Sequence, residues 1–313
     1  MKMVSLRLKS SMLFNMFKKI HFLVVWLLLT CAASFAQQTK PAMKFISYNV
    51  LHGFNNDRAL EQRYVDWINK ENPDVIAYQE LNGFTQDSLE RLAKRYGHSY
   101  AILNTGVTHP IGLTSRYPIV MVQQVTTNMW HSYLYGNING IHFFVTHLSP
   151  FEVDVRRADV DRILAHTKLI PAKEKIVIAG DFNALSAIDS ANYGQPLLSA
   201  MLKTDGKLQP KSGTAIVKFK TIHYNNLNNG QLDYTVTNKM LQAGFKDSYY
   251  LTNTQFKHSA PTKDHAAEHG RKIRIDYIWV NKAMAAHIKS ADVLQNEETN
   301  QLSDHYPVYI TWK

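Results

Sequence analysis

The chain has 313 residues, 45% hydrophobic and 19% charged, with a formal net charge of +10 and a single cysteine, Cys31. These are values of an ordinary globular protein, and they exclude a collagen-like, disulfide-framed or wholly disordered chain. Residues 1–36 carry Lys2, Arg7, Lys9, Lys18 and Lys19 and no acid; taking those five charges from +10 leaves +5, a mildly basic remainder that suits anionic substrates without demanding nucleic acid.

In chain order, Lys18 and Lys19 precede an apolar run over 20–29, and the segment ends in Ser34-Phe35-Ala36. A basic start, a short apolar middle and a small-x-small end predict a secretory signal peptide at 1–36, with Met16 opening a leader of ordinary length. The run falls short of the ~20 apolar residues that a spanning helix needs. Cys31 follows Leu28-Leu29-Thr30, where a lipoprotein cysteine would sit, although threonine is a poor neighbour for that processing. Export to the periplasm or the exterior is therefore expected, with lipidation at Cys31 as the alternative. Cleavage after Ala36 would leave no thiol, which suits an oxidising compartment.

Residues 42–313 read as one domain, without repeats or linkers. Runs of β-branched and aromatic residues predict strands at 44–49, 74–79, 100–103, 111–115, 119–126, 133–138, 141–146, 175–179, 275–280 and 308–311. Helical patterning predicts helices at 59–71, 84–96 and 152–170. Asn139-Gly140 signals a hairpin turn. Residues 253–272 are polar, carry His258, His265 and His269, and predict a long surface loop. Many strands with few long helices imply an α/β fold of two stacked sheets flanked by helices.

Five strand-like runs end in, or begin just after, residues suited to a metal or a phosphate: Asn49, Glu80, His147, Asp181 with Asn183, and Asp304-His305. Buried strands that release carboxylates, amides and imidazoles at their tips can build one rimmed site. Oxygen donors of this kind suit a hard cation, Mg²⁺ or Mn²⁺. Taken singly, each is as well explained by a turn or a solvated charge; together, with apolar runs before most of them, they are not.

The stretches Ser47-Tyr48-Asn49-Val50, Asp74-Val75-Ile76-Ala77-Tyr78-Gln79-Glu80, Thr146-His147-Leu148, Gly180-Asp181-Phe182-Asn183, Arg274-Ile275-Asp276-Tyr277-Ile278 and Ser303-Asp304-His305-Tyr306-Pro307 resemble the endonuclease/exonuclease/phosphatase superfamily, in that order along the chain. The resemblance implies a four-layer α-β-β-α sandwich with two central mixed or antiparallel sheets and a site at one end. It also implies roles. Glu80 is the principal metal carboxylate, Asn49 the amide beside the metal, and Asp304 a support for that metal or a second one. Asp181 orients or protonates at the scissile phosphate and Asn183 donates to a phosphoryl oxygen. His305 is the general base with Asp276 behind it, and His147 binds phosphate or protonates the leaving oxygen.

His52 is expected at the rim, and Arg116, in Ser115-Arg116-Tyr117-Pro118, is either a substrate contact or a structural turn residue. Arg271, Lys272 and Arg274 attract anions or form a solvated run. Thr146-His147-Leu148 stands where abasic-site endonucleases carry a tyrosine-bearing segment, which leans toward the deoxyribonuclease, sphingomyelinase and phosphatase branches. Three functions follow for what is expected to be a monomer. The first is a hydrolase of a small phosphoester or a membrane lipid head group, and the second a nuclease acting on nucleic acid. The third, a catalytically dead binding module, is disfavoured by the complete set of site residues.

Overall fold

The computed structural model describes residues 42–204, 210–211, 214–215, 226–266 and 271–313. The expected signal peptide, Cys31 and His269 therefore lie outside the described residues. No helix among the described residues is long and apolar enough to cross a membrane.

The first sheet holds β1 (Met43–Asn49), β2 (Val75–Gln79), β3 (Tyr100–Asn104), β4 (Ile111–Ser115), β15 (Ile288–Val293) and β16 (Val308–Trp312), in the order β15-β16-β1-β2-β4-β3. The second holds β5 (Val120–Val125), β6 (Ser132–Ile138), β7 (Ile141–His147), β8 (Lys175–Asp181), β13 (Lys246–Asp247) and β14 (Asp276–Val280), in the order β13-β14-β8-β7-β6-β5. Two-residue strands β9 (Pro210–Lys211) with β10 (Thr214–Ala215), and β11 (Leu227–Asn228) with β12 (Gln231–Leu232), form two small hairpins. Both large sheets share one plan: a central parallel pair, β1 with β2 and β7 with β8, flanked by antiparallel neighbours.

Parallel neighbours need a crossover, and each pair has a helix in its connection. Between β1 and β2 runs α1 (Arg58–Glu71), N-capped by Asp57, whose carboxylate accepts from Ala59 and Leu60. Between β7 and β8 runs α3 (Val153–Thr167). Helix α2 (Gln86–Arg95) starts with a capping box formed by Thr85 and Ser88. Two further helices are α4 (Ser190–Thr204) and α5 (Thr235–Gln242).

Strand alternation divides the apolar residues of the two large sheets between three of the four buried clusters among the described residues. Phe45, Val75, Ala77, Phe143, Val145, Val177, Ala179 and Ile278 lie between the sheets. Ile46, Tyr48, Ile76 and Tyr78 face the other way, onto Tyr64, Trp67, Ile68, Leu89 and Leu92 of α1 and α2. Phe144, Ile176, Ile178, Tyr277 and Trp279 pack on Val160, Ile163, Val236 and Met240 of α3 and α5. Helix, sheet, sheet, helix is the four-layer sandwich that the sequence implies.

Within the loop expected over 253–272, residues 253–265 are largely irregular, but not all of them are surface. Ser259, Ala260 and Thr262 are buried, and Ser259 Oγ accepts the backbone N–H groups of Ile275 and Asp276 at 3.0 Å each. The loop thereby fixes the start of β14. Arg274, expected in a basic run, is buried too. Its guanidinium meets Asp189 at 2.7 Å and Asp247 at 2.6 Å, with the Tyr277 ring 4.6 Å away. It holds the same strand rather than an incoming anion.

Candidate active site

Parallel strands end on the same edge, so the tips of β1 and β2, and those of β7 and β8, lie side by side. In register, Asn49 pairs with Gln79, just before Glu80, and His147 pairs with Asp181. Antiparallel neighbours begin where these strands end. Asp276 opens β14 opposite Asp181, and His305 precedes β16, whose Val308 pairs with Ser47 of β1. Topology thus brings residues far apart in sequence to one edge of the sandwich.

The side chains meet there. Asn49 Nδ2 donates to Glu80 Oε1 at 3.1 Å and to Asp181 Oδ2 at 3.3 Å, linking the two sheets. Its Oδ1 is engaged by the Leu51 N–H at 3.1 Å. Asn49 thus clamps two carboxylates, which sets its amide beside the carboxylate expected to hold the metal. His147 Nε2 lies 3.5 Å from Asp181 Oδ2 and 4.0 Å from Glu80 Oε1. His305 Nδ1 sits 2.8 Å from Asp276 Oδ2, and its Nε2 lies 3.9 Å from Asp181 Oδ2. Asn183, with a left-handed backbone (φ 46°), donates its N–H to Asp181 Oδ1 at 2.8 Å and its amide to Leu148 O at 3.0 Å. Asp304 is buried beside His305; Ser303 Oγ donates to Asp304 Oδ1 at 3.2 Å and to Asn49 O at 2.8 Å.

The turn after β1 wraps around Glu80. Residues 51–56 all have positive φ, from 43° at Leu51 to 64° at Gly53, a costly conformation for side-chain-bearing residues. It brings the His52 N–H to Glu80 Oε2 at 3.0 Å, with His52 Nδ1 3.4 Å from the same oxygen. His52 is half-exposed beside Glu80. A Cβ on Gly53 would stand 2.2 Å from Asn82 O, so this approach requires glycine. Gly180 has the same function on the other sheet: a Cβ there would stand 1.8 Å from Thr146 O.

Arg116 is not brought into this site. Its Nε donates to Pro73 O at 3.0 Å and its guanidinium reaches Asn72, at the start of β2 and the opposite edge from Glu80. The residue is structural because β4 runs antiparallel to β2 and ends where β2 begins.

Burial and charge set the protonation pattern. Burial alone would raise the Glu80 pKa, but the His52 N–H and the Asn49 amide outweigh it and keep the carboxylate low. Burial and the neighbouring Asp276 push Asp181 well above the usual carboxylate range. Burial would lower His305, but Asp276, Asp304 and Asp181 hold it well above its ordinary value. His147 goes the other way: burial, then the imidazoles of His109, His305 and His52, bring it down to about 3. Both roles expected of His147 need a ring nitrogen at the reacting edge, and its Nε2 lies there, 3.5 Å from Asp181 Oδ2.

The donor set fits a divalent cation. Four buried or nearly buried carboxylates, Glu80, Asp181, Asp276 and Asp304, crowd one edge, and burial first, then the charges of Asp276 and Glu80, raise the Asp181 pKa. Ligand atoms of Asp181, Asp276 and His305 all lie within 4.8 Å of one another. Such an excess of negative oxygen is what a hard cation offsets.

Two residues escape a reading of the sequence. His131 stacks on His147 with ring centroids 4.9 Å apart, and His109 meets His131 at 4.9 Å and His147 at 5.9 Å. His131 precedes β6, whose Ser132 pairs with His147, and His109 precedes β4. Only strand pairing, not linear order, places them at this edge.

A profile of the Endonuclease/Exonuclease/phosphatase family matches residues 46–305. No curated protein sequence matches the chain. Among solved structures, an AP endonuclease from Archaeoglobus fulgidus is similar over 87% of this chain and 99% of its own, with a TM-score of 0.64 and 16% identity. The 3'-5' exonuclease NExo from Neisseria Meningitidis is similar over 87% of this chain and 100% of its own, with a TM-score of 0.62 and 18% identity. A humanized D. rerio TDP2 is similar over 88% and 100%, with a TM-score of 0.55 and 16% identity. At these identities the likeness is one of fold.

Proposed function

The chain belongs to the endonuclease/exonuclease/phosphatase family, and from that premise we propose that it is an exported, divalent-metal-dependent hydrolase of phosphodiesters, with Mg²⁺ or Mn²⁺ as the ion. The observation that carries this is the Asp276–His305 pair at 2.8 Å, set beside Asp181 and the Asn49–Glu80 clamp. Glu80, with Asp181 and Asp304 beside it, would hold the cation, which would supply charge neutralisation and polarisation of the phosphoryl group.

The chain's own residues do the rest. His305, with Nδ1 committed to Asp276, presents Nε2 to take a proton from water; its raised pKa makes the neutral form that does so available only as pH rises, and the carboxylate behind it stabilises the imidazolium that forms. Asp181, with His147 Nε2 at 3.5 Å and His305 Nε2 at 3.9 Å, orients or protonates at the scissile phosphate. Asn183 and neutral His147 donate hydrogen bonds to the phosphoryl oxygens. Export rests on Lys18, Lys19, the apolar run and Ser34-Phe35-Ala36; mapping the mature N-terminus tests it, with Gln37 expected first, an acylated Cys31 marking lipoprotein export instead, and an uncleaved leader contradicting export.

A substrate panel tests the reaction: plasmid DNA, RNA, sphingomyelin, inositol phosphates and bis-(p-nitrophenyl) phosphate, each with and without Mg²⁺. Metal-dependent release from at least one diester is expected. Hydrolysis of none, by protein that is folded and metal-loaded, overturns the proposal.

A further inference from the structure

Six planar rings form a continuous row along one flank of the site. His52, beside Glu80, meets His109 at 5.9 Å; His109 meets His131 at 4.9 Å; and His131 stacks on His147 at 4.9 Å. Trp130 follows, 6.1 Å from His131, and Phe151 lies 5.7 Å beyond it, edge to face at 71°. The row crosses from the first sheet to the second, passing the Asp181 carboxylate through His147 Nε2.

Its outer part is presented rather than tucked away. The Trp130 side chain belongs to a residue 44% exposed, yet its backbone is fixed: the Trp130 N–H donates to buried Asp159 Oδ2 at 3.3 Å, and the preceding turn is closed by Met129 N–H to Thr126 O at 3.2 Å. An exposed indole on an anchored turn, backed by an aromatic edge, is a preformed stacking face.

The geometry points to a stacking subsite for an unpaired nucleobase on Trp130, so that the diester taken by this site is a single-stranded nucleic acid or a nucleotide end. This rests on the hydrolase reading above and adds the substrate class. Bases stack on aromatic faces whatever their identity, and an unpaired base has a face to offer whereas one within a duplex is already stacked. An acyl chain needs contiguous aliphatic carbon, and four of these six rings are imidazoles that instead offer N–H groups and lone pairs.

The test compares Trp130→Ala and Trp130→Phe with the parent protein on two diesters: a four-nucleotide single-stranded deoxyadenosine oligomer, and glycerophosphocholine. For the oligomer, Trp130→Ala is expected to raise KM about tenfold or more with little change in kcat, and Trp130→Phe to restore it. Glycerophosphocholine should respond to neither. Binding without turnover gives a second readout. In EDTA the oligomer should quench the intrinsic tryptophan fluorescence of the mature protein, and Trp130→Phe should abolish that quenching, because Trp67, Trp279 and Trp312 are buried and Trp26 lies within the expected leader. Hydrolysis with no base-dependent quenching overturns the subsite and leaves the hydrolase. Quenching without hydrolysis of any diester removes the hydrolase reading and leaves the subsite. A KM effect of Trp130→Ala confined to sphingomyelin vesicles assigns the face to lipid and overturns the inference.

Discussion

His147 and His305 are both buried at the same edge, and their surroundings drive them apart. Carboxylates raise the His305 pKa against its burial, whereas burial, then neighbouring imidazoles, lowers that of His147. His305→Ala should therefore lower kcat by about 10²-fold or more while leaving the melting temperature nearly unchanged. Asp276→Asn should do two things at once. It removes the charge that raises the His305 pKa, so the rising limb of the rate profile should move to lower pH, and it weakens the fixed tautomer, so the plateau should fall. A limb that stays in place would contradict the pairing. A third histidine acts on stability alone. His98 is buried between Pro73 O at 2.9 Å and Thr114 Oγ1 at 3.0 Å, and burial lowers its pKa from 6.5 to about 4. Because its folded pKa is depressed, its contribution is present above pH 6.5 and lost as pH falls toward about 4. That slope is about 1.4 kcal/mol per pH unit at most. His98→Gln should flatten the decline in melting temperature across this window, and an unchanged slope would refute the assignment.

At the scale of elements, the site depends on how closely paired strands approach. Gly180 lets β8 lie against Thr146 of β7 just before Asp181, and an added Cβ would meet backbone, which cannot rotate away. Gly180→Ala should cost more than about 2 kcal/mol in chemical denaturation. A loss within about 0.5 kcal/mol would show that the strands can separate freely. The same elements show why patterning was readable. Central strands such as Val75–Gln79 and Ile111–Ser115 are buried along their length and read as apolar or β-branched runs. Ile288–Val293 was missed because it is an edge strand whose Lys289 and Ser290 reach solvent. Helix Ser190–Thr204 contains Gly194 and Pro196, both helix breakers, and Thr235–Gln242 opens on β-branched residues. Residues 253–272 looked like a surface loop because buried Ser259 and Thr262 are polar; their partners are backbone groups that no sequence pattern displays.

For the whole molecule, the two sheets repeat one pairing plan, and the site forms where the ends of both parallel pairs face each other. Glu80 comes from one sheet, Asp181 and Asp276 from the other, and Asn49 ties them together. The strand-tip residues were legible because chemistry and spacing coincide there; the histidine row was not, because it exists only once strands have paired. A cation bound among carboxylates of both sheets should stabilise the fold as a unit. Mg²⁺ or Mn²⁺ at about a hundred times its dissociation constant should add about 2.7 kcal/mol. The most direct test is turnover of bis-(p-nitrophenyl) phosphate by the purified protein in EDTA, after Mg²⁺ or Mn²⁺ is restored, and in Glu80→Gln. Turnover should vanish in EDTA, return with the metal, and fall by about 100-fold or more in the variant. Equal turnover in EDTA, or a fully active Glu80→Gln protein, would contradict the account.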